Sequence, residues 1–212
     1  MKLEGPMQSW GKHGFESTRI SESFPGRSAL LGLLGACLGI DRQDSERQRQ
    51  LAESVAFAVR IDQTEYVPQK MTDYHTVKDA RVDYHSLKSH ETIETWREYW
   101  QDVKYTVAVW SLPNAEISLE QLQEAICKPV YTPFLGRKSC PMTRPLFEAM
   151  VDADDAKTAL GQIEPVAGMV YSEERDDKQR QIRLRDVPII DQPRQFDTRT
   201  VYVYSLSSGG QS

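Results

Sequence analysis

The chain has 212 residues, of which 39% are hydrophobic and 27% charged, and its formal net charge is -5 at pH 7. This length suits one domain with a sizeable core, and this composition excludes a disordered or fibrous protein. The negative charge excludes a protein that coats nucleic acid through a uniformly basic surface, so any nucleic-acid contact has to be local.

Cysteine usage and the apolar runs indicate the compartment. The three cysteines form no C-x-x-C pair, which argues against a disulfide framework and against a zinc ribbon. The first residues, MKLEGPMQSW, contain no apolar run of signal-peptide length, and the most apolar run, ALLGLLGACLGI, is too short to cross a bilayer. We therefore expect a soluble cytoplasmic protein with no membrane partner.

In chain order, the first element is short. Only MKLE precedes the Gly-Pro turn, so we expect an abbreviated N-terminal strand. After a glycine-rich loop, FPGRSALLGLLGACLGI predicts a buried helix with Ser28 as its N-cap. Within this helix, Gly32, Gly35 and Gly39 fall on one face, where another backbone could approach closely. The polar stretch DRQDSERQRQLAESV then predicts a solvated helix or loop, and AFAVRID alternates like a strand.

The rest of the chain predicts one hairpin, one helix and three strands. Residues 71–102 are dense in charges and aromatic rings without an apolar period, which predicts a projecting β-hairpin inserted in the domain. The segment KYTVAVWSL predicts a strand, and SLEQLQEAI predicts a helix with Ser118 as N-cap and Gln121 completing a capping box. QIRLRDVPII and TRTVYVYSL predict two late strands, and residues 207–212 a disordered tail.

This succession of elements favours an α+β fold. Strands that alternate with two helices on a chain of this size suggest that the helices pack on one face of an antiparallel sheet, in a ferredoxin-like plan. We expect residues 1–212 to form a single domain around that sheet.

Three segments carry residue types that suit an RNA ligand. GPMQSWGKHGFESTR combines glycines with side chains that stack on bases or hold phosphates, although Trp10 could equally be a lid on the core. In PGRS, backbone N–H groups at a helix N-terminus adjoin Arg27 and suit phosphate oxygens, with plain N-capping as the alternative. In the acid-free TPFLGRKSCPMTRP, Gly136 permits a turn that exposes two cations and a hydroxyl, with a merely solvated loop as the alternative. The candidate side chains are Gln8, Trp10, Lys12, Arg19, Arg27, Ser28, Arg137, Lys138 and Ser139.

A nuclease is the rival function. The histidines could supply a general acid and base for metal-independent RNA cleavage; they are His13, His75, His85 and His90. Three of them lie on the predicted arm, which is a poor support for catalytic groups, so solvated or RNA-contacting histidines are the other interpretation. The sequence contains no H-x-x-x-H, G-x-S-x-G or Walker pattern, and we expect neither a metal nor a cofactor. The residues alone favour an α+β RNA-binding protein, with the nuclease as the alternative.

Five long segments resemble a known family. They are, in chain order, GPMQSWG, FESTR, FPGRSALLGLLGACLGI, DYHTVKDARVDYHSLKSHETIETWREYWQD and YTPFLGRKSCPMTRPL. In these segments the chain closely resembles the CasD family of the RAMP superfamily, whose members are components of Cascade in type I-E CRISPR systems. The resemblance implies a ferredoxin-like (RRM-like) palm with an extended β-hairpin thumb at residues 71–102. Family members usually have a longer first strand, and often have Thr where this chain has Gly26.

The resemblance also implies a function. In this family the protein is a non-catalytic subunit that binds the 5′ handle of the CRISPR RNA. It caps the filament of CasC backbone subunits and contacts the large subunit CasA, whereas a separate subunit, CasE, cleaves the precursor. The complex supports RNA-guided recognition of target DNA in antiviral defence, with the DNA close to the guide. Endonuclease processing of CRISPR repeat RNA by this chain itself is the alternative.

Carried onto this sequence, the resemblance assigns roles to particular residues. The GPMQSWG turn, Arg27-Ser28 and the Arg137-Lys138-Ser139 turn become handle contacts. In the thumb, Trp96 and Arg97 are expected to wedge or stack against a base, which would separate the handle from the guide. Arg81 and Lys88 are expected to reach phosphates. The alternative is that Trp96, Tyr99 and Trp100 pack the base of the hairpin on the palm.

Overall fold

The computed structural model describes residues 1–12, 17–78, 92–192 and 195–207. The helices within these ranges are α1 Arg27–Leu38, α2 Ser45–Ser54, α3 Leu119–Cys127 and α4 Ala156–Gly161. The strands are β1 Lys2–Glu4, β2 Met7–Gln8, β3 Trp10–Gly11, β4 Thr18–Arg19, β5 Ser21–Glu22, β6 Val55–Asp62, β7 Gln69–Lys78, β8 Thr92–Gln101, β9 Lys104–Ser111, β10 Gly168–Ser172, β11 Arg180–Pro188 and β12 Phe196–Leu206.

Six strands form the main sheet, in the order β1-β9-β6-β10-β12-β11, and every neighbouring pair is antiparallel. Successive side chains of β6 point to opposite faces, as the strand period requires. Val55, Phe57 and Val59 pack with α1, α2 and α3, whereas Ala58 packs with α4 on the other face. The molecule is therefore a mixed α/β protein with antiparallel sheets, which agrees with the predicted class at that level.

The first strand has only three residues, as the short segment before the Gly-Pro turn predicts. One of its edges pairs with β9, where Leu3 lies opposite Tyr105. Along its other edge, the Lys2 N–H donates to the Leu146 carbonyl at 3.0 Å, and the Thr143 N–H donates to the Glu4 carbonyl at 3.0 Å. Residues 143–146 thus lie beside β1 as an irregular continuation of the main sheet.

A buried polar cluster fastens residues 160–166 to the sheet. Arg60, whose side chain is 0% exposed, donates from Nε to Asp62 at 2.7 Å and from Nη2 to Thr106 at 2.9 Å. Its remaining N–H groups donate to the carbonyls of Leu160, Ile163 and Val166. Lys2 reaches the other Asp62 carboxylate oxygen at 3.0 Å. All five donors of the guanidinium are therefore used inside the protein.

Helix α1 is confirmed, but its cap and its glycines differ from the prediction. The N-cap is Gly26, and Ser28 lies inside the first turn, so the assignment of Ser28 as the cap is wrong. Gly32 is exposed, with no atom within 4 Å of where its Cβ would be, and Gly39 ends the helix at φ +68°. Gly35 is buried with only ordinary contacts around it, and a Cβ on Gly39 would lie 3.0 Å from the Cβ of Val130. The close approach predicted along the glycine face is therefore found only at Gly39, which also forms the C-cap.

Strands β7 and β8 pair antiparallel over their whole length, from Gln69 opposite Gln101 to Lys78 opposite Thr92. The residues between them, 79–91, lie outside the described ranges. β8 also pairs with β2 and, in parallel, with β4, and Tyr99 is 3% exposed within the core. The second half of β8 is therefore part of the folded core, which corrects the expectation that all of 71–102 projects.

The predicted strands β6, β9, β11 and β12 and the helix α3 are present. At α3 the Ser118 hydroxyl accepts from the Gln121 N–H, and the Gln121 side chain accepts from the Ser118 N–H, which confirms the capping box. The sequence did not predict α4 or β10. The predicted tail at 207–212 lies almost entirely outside the described residues.

Candidate nucleic-acid interface

The acid-free turn at 135–140 is anchored at both ends. Leu135 and Cys140 are 0% exposed, and the Leu135 N–H donates to the Cys140 carbonyl at 2.8 Å. Gly136 has φ +84°, and a Cβ on it would lie 1.8 Å from the Ser9 carbonyl oxygen. Only glycine fits this position, which confirms that Gly136 makes the turn. Lys138 and Ser139 are exposed as predicted, whereas Arg137 is half-buried, so its predicted exposure is wrong.

Arg137 leaves this turn and lies against the second sheet, which β2, β4, β7 and β8 form. Its Nη1 donates to the Tyr99 hydroxyl at 3.2 Å, and its guanidinium carbon is 4.8 Å from the centroid of the Tyr99 ring, a cation–π contact. Its Nη2 donates to the Arg19 carbonyl at 3.4 Å. Tyr99 thus positions Arg137, a role that the sequence did not indicate because the two residues are far apart in the chain.

Two further arginines lie beside Arg137. The parallel pairing of β4 with β8 places Arg19 opposite Arg97, and Tyr99 is on the same face of β8 as Arg97 because side chains alternate along a strand. We call Arg19, Arg97 and Arg137 the arginine cluster. They come from three segments of the chain and meet on one face of the second sheet.

The charge of the arginine cluster is not neutralised within the described part of the chain. There, no carboxylate lies within 4.0 Å of a basic nitrogen of Arg19, Arg97, Arg137 or Lys138. Asp73 is the cross-strand neighbour of Arg97, but its carboxylate contacts His75. Arg19 and Lys138 are exposed, whereas Arg97 and Arg137 are half-buried and donate hydrogen bonds to neutral protein groups. Because none of these contacts neutralises the positive charge, the cluster suits the phosphates of a nucleic acid.

Gln8 and Trp10 are buried, which corrects their assignment as RNA contacts. Gln8 is 0% exposed and donates from Nε2 to the Val103 carbonyl at 2.7 Å. Trp10 is 1% exposed and packs edge to face on Tyr105, with the ring centroids 6.1 Å apart. Trp10 is thus the core lid that was the alternative interpretation, because the turn around Gly136 covers it.

Arg27 and the N-terminus of α1 are occupied by protein groups. The Arg27 guanidinium pairs with Glu173 at 2.6 Å and donates to the carbonyls of Ala52 and Val55. Its backbone N–H donates to the Asp186 carboxylate at 2.7 Å, which fills the position expected for a phosphate. Asp186 and Glu173 are in turn both bound by Arg199. The assignment of Arg27 as a handle contact is therefore corrected, while that of Ser28, which is half-buried in the first turn of α1, stays a prediction.

The remaining candidates are not part of the arginine cluster. Lys12 is exposed and pairs with Glu22 at 3.0 Å. Trp96, 41% exposed, lies next to Tyr74 with the ring centroids 5.3 Å apart, and it points to the opposite face of β8 from Arg97. Trp96 and Arg97 therefore cannot contact the same base as a pair. Arg81, Lys88, His13, His85 and His90 lie outside the described residues.

Within the described ranges there is neither a metal-ligating cluster nor a membrane-spanning helix. No group of three His, Cys, Asp or Glu side chains there is arranged to hold a metal ion. None of the helices there has the length and apolar character needed to span a membrane.

Comparisons with known proteins identify the family. The family model described as CRISPR-associated protein (Cas_Cas5) matches residues 1–202. The "CRISPR system Cascade subunit CasD" of Escherichia coli (strain K12) is 50% identical over 209 residues, which cover 96% of this chain and 93% of that protein. A chain of the solved "CRISPR RNA-guided surveillance complex" has a TM-score of 0.73 at 27% identity, covering 97% of this chain and 88% of its own. The solved "Crystal structure of Cas protein" has a TM-score of 0.65 at 27% identity, and the match covers 97% of this chain and 92% of that chain. The chain belongs to the CRISPR-associated Cas5 family.

Proposed function

We propose that this chain is a non-catalytic subunit of a Cascade-type CRISPR surveillance complex and binds the 5′ handle of the CRISPR RNA. The 50% identity to a protein named as a Cascade subunit over 96% of the chain supports membership of the complex. The arginine cluster is the observation that supports RNA binding, because three distant segments bring together cations that have no carboxylate partner in the described structure.

The fold supports a palm and a thumb. The order β1-β9-β6, with residues 143–146 beside β1, follows the 4-1-3-2 order of a ferredoxin-like sheet in which the last strand is irregular. The hairpin of β7 and β8 is the proposed thumb, and its base joins the arginine cluster through Arg97. On this proposal the RNA backbone lies along the face that carries Arg19, Arg97 and Arg137, beside the exposed Lys138 and Ser139.

The proposed partners follow from the family. They are the CRISPR RNA, the CasC backbone filament, the large subunit CasA and target DNA near the guide. Catalysis is assigned to another protein of the complex. In the described part, His75 contacts Asp73 on an exposed strand pair, and the other three histidines of the nuclease alternative lie outside the described residues.

Salt dependence tests the RNA site. The double variant Arg137→Ala/Lys138→Ala should bind handle RNA more weakly, and the slope of log affinity against log salt should fall by roughly 1.4, because each single-strand phosphate contact contributes about 0.7. The handle RNA is the repeat-derived sequence recovered when the chain is co-purified with its genomic neighbours. The charge-matched control is Lys178→Ala/Arg180→Ala, which removes two exposed basic side chains from a different segment. An unchanged slope in the turn variant would remove this turn from the interface.

A truncation tests the thumb. Replacing residues 77–93 by a Gly-Ser turn keeps Thr95 and Tyr99, which are buried, and keeps the pairing of β8 with β4. We expect cooperative melting near the parent temperature, and complexes that assemble but fail to bind target DNA. Loss of cooperative melting would show that the removed part belongs to the core, and normal target binding would show that it is not a functional thumb.

A further inference from the structure

Three exposed apolar side chains lie immediately before the arginine-bearing turn. Val130 is 65% exposed, Tyr131 51% and Phe134 39%, and they fall within five consecutive residues. Large apolar groups on a surface mark a contact with a partner when they are grouped in this way. None of the three belongs to the arginine cluster.

Hydrogen bonds and a buried side chain fix the backbone that carries the rings of Tyr131 and Phe134. The Val130 N–H donates to the Cys37 carbonyl and the Tyr131 N–H to the Ala36 carbonyl, both at 3.0 Å, so this segment is bound to the C-terminal turn of α1. Beyond Phe134, the buried Leu135 holds the other end of the segment. An aromatic side chain on a fixed backbone loses little conformational freedom when it stacks on a ligand.

The charge around the rings points to an anionic partner. Between Glu124 and Glu148 the chain has no acidic residue, while Lys128, Arg137 and Lys138 are all present. Phe134 belongs to the same turn as Arg137, because the Gly136 N–H donates to the Phe134 carbonyl at 3.0 Å. Exposed aromatic rings next to cations are the combination that binds single-stranded nucleic acid, whose bases stack while its phosphates pair with the cations.

We infer that Tyr131 and Phe134 stack on unpaired bases of the RNA strand whose phosphates contact Arg137 and Lys138. This inference rests on the proposed function and assigns different contributions to the rings and to the cations of one site. The rings contribute affinity that does not depend on salt, and the cations contribute affinity that does. Stacking is tolerant of base identity, so these two residues hold the strand without reading its sequence.

Alanine substitutions separate the two contributions. Tyr131→Ala and Phe134→Ala should each weaken binding of the handle RNA by about 5- to 150-fold, the range for loss of one base–aromatic stack. The salt slope should stay that of the parent chain. Tyr131→Phe and Phe134→Tyr should bind as the parent does. Tyr66→Ala removes a 73% exposed ring from a different part of the surface and serves as the control.

An abasic RNA provides the second measurement. On an RNA of the same length with sugars and phosphates but no bases, Tyr131→Ala should bind as the parent does, whereas Arg137→Ala/Lys138→Ala should remain weaker. Parent-like binding of the alanine variants to the complete RNA overturns the inference, and so does a changed salt slope. Normal RNA binding with failed assembly of the protein complex would show that the rings contact protein instead. Failure of the parent chain itself to bind handle RNA would contradict the proposed function.

Discussion

Asp62→Asn should destabilise the protein severely although the two side chains have nearly the same shape. Asp62 is 0% exposed and accepts from Arg60 at 2.7 Å and from Lys2 at 3.0 Å. The amide leaves two buried cations without a carboxylate, and breaking a buried pair in this way costs about 3–5 kcal/mol. For a chain of this size each kcal/mol lowers Tm by about 2–4 °C, so we expect a decrease of roughly 6–20 °C.

Thermal unfolding followed by circular dichroism measures this shift. Asp177→Asn is the matched control, because Asp177 pairs with Arg175 at the surface, where a lost ion pair changes stability little. In a double-mutant cycle, Arg60→Met should cost less in the Asp62→Asn background than alone, since the two residues share one network. A decrease of less than about 2 °C for Asp62→Asn would refute the reasoning that the cluster depends on its single carboxylate.

The turn and the thiols provide two further tests. Gly136→Ala should lower both Tm and RNA affinity, because φ +84° and the Ser9 carbonyl leave no place for a Cβ. Gly161→Ala, with open space around it and far from the candidate site, should lower neither. Equal melting and binding of the two variants would contradict this account of the turn. Burial raises the pKa of the Cys37 thiol to about 11 and also raises the pKa of the Cys140 thiol, so iodoacetamide at neutral pH should label only the exposed Cys127 in the folded chain and all three cysteines in denaturant. Labelling of Cys37 in the folded protein, detected by peptide mass spectrometry, would show that the core around it opens.

Elements whose signals are local could be predicted from the sequence. The capping box of α3 needs only Ser118 and Gln121, which are three residues apart, and the alternation of β6 and β9 is contained in each strand. The short helix α4 and the strand β10 could not be predicted in the same way. They lie in an acid-rich stretch, and their few apolar residues become a pattern only when Ala156, Leu160 and Val170 meet around Ala58.

In the candidate site, too, features with a local sequence signal were predictable and features that depend on distant residues were not. Gly136 and its turn were predictable, because the requirement for glycine comes from the turn itself. The contacts of Arg27 were not predictable, because the local sequence of a helix N-terminus is the same whether a protein carboxylate or an external ligand binds its N–H groups. The group that fills it, Asp186, is 159 residues away. The pairing of β4 with β8 joins two-residue and ten-residue strands that are distant in the chain, so the meeting of Arg19 with Arg97 has no local signal.

The ion-pair network at the start of α1 has a consequence for how the protein is made. Arg27 pairs with Glu173, and Glu173 shares Arg199 with Asp186, so a residue near the beginning of the chain finds its acidic partner only after residue 172. While the ribosome is still translating the first two thirds of the message, the Arg27 guanidinium has no acid to pair with and α1 has no carboxylate at its N-terminus. Because β12 lies between β10 and β11, the main sheet is completed only after synthesis of the chain is nearly finished. A chain that ends before Arg199 leaves the mostly buried Asp186 carboxylate without its ion-pair partner, so we expect such a chain to be less stable at the start of α1.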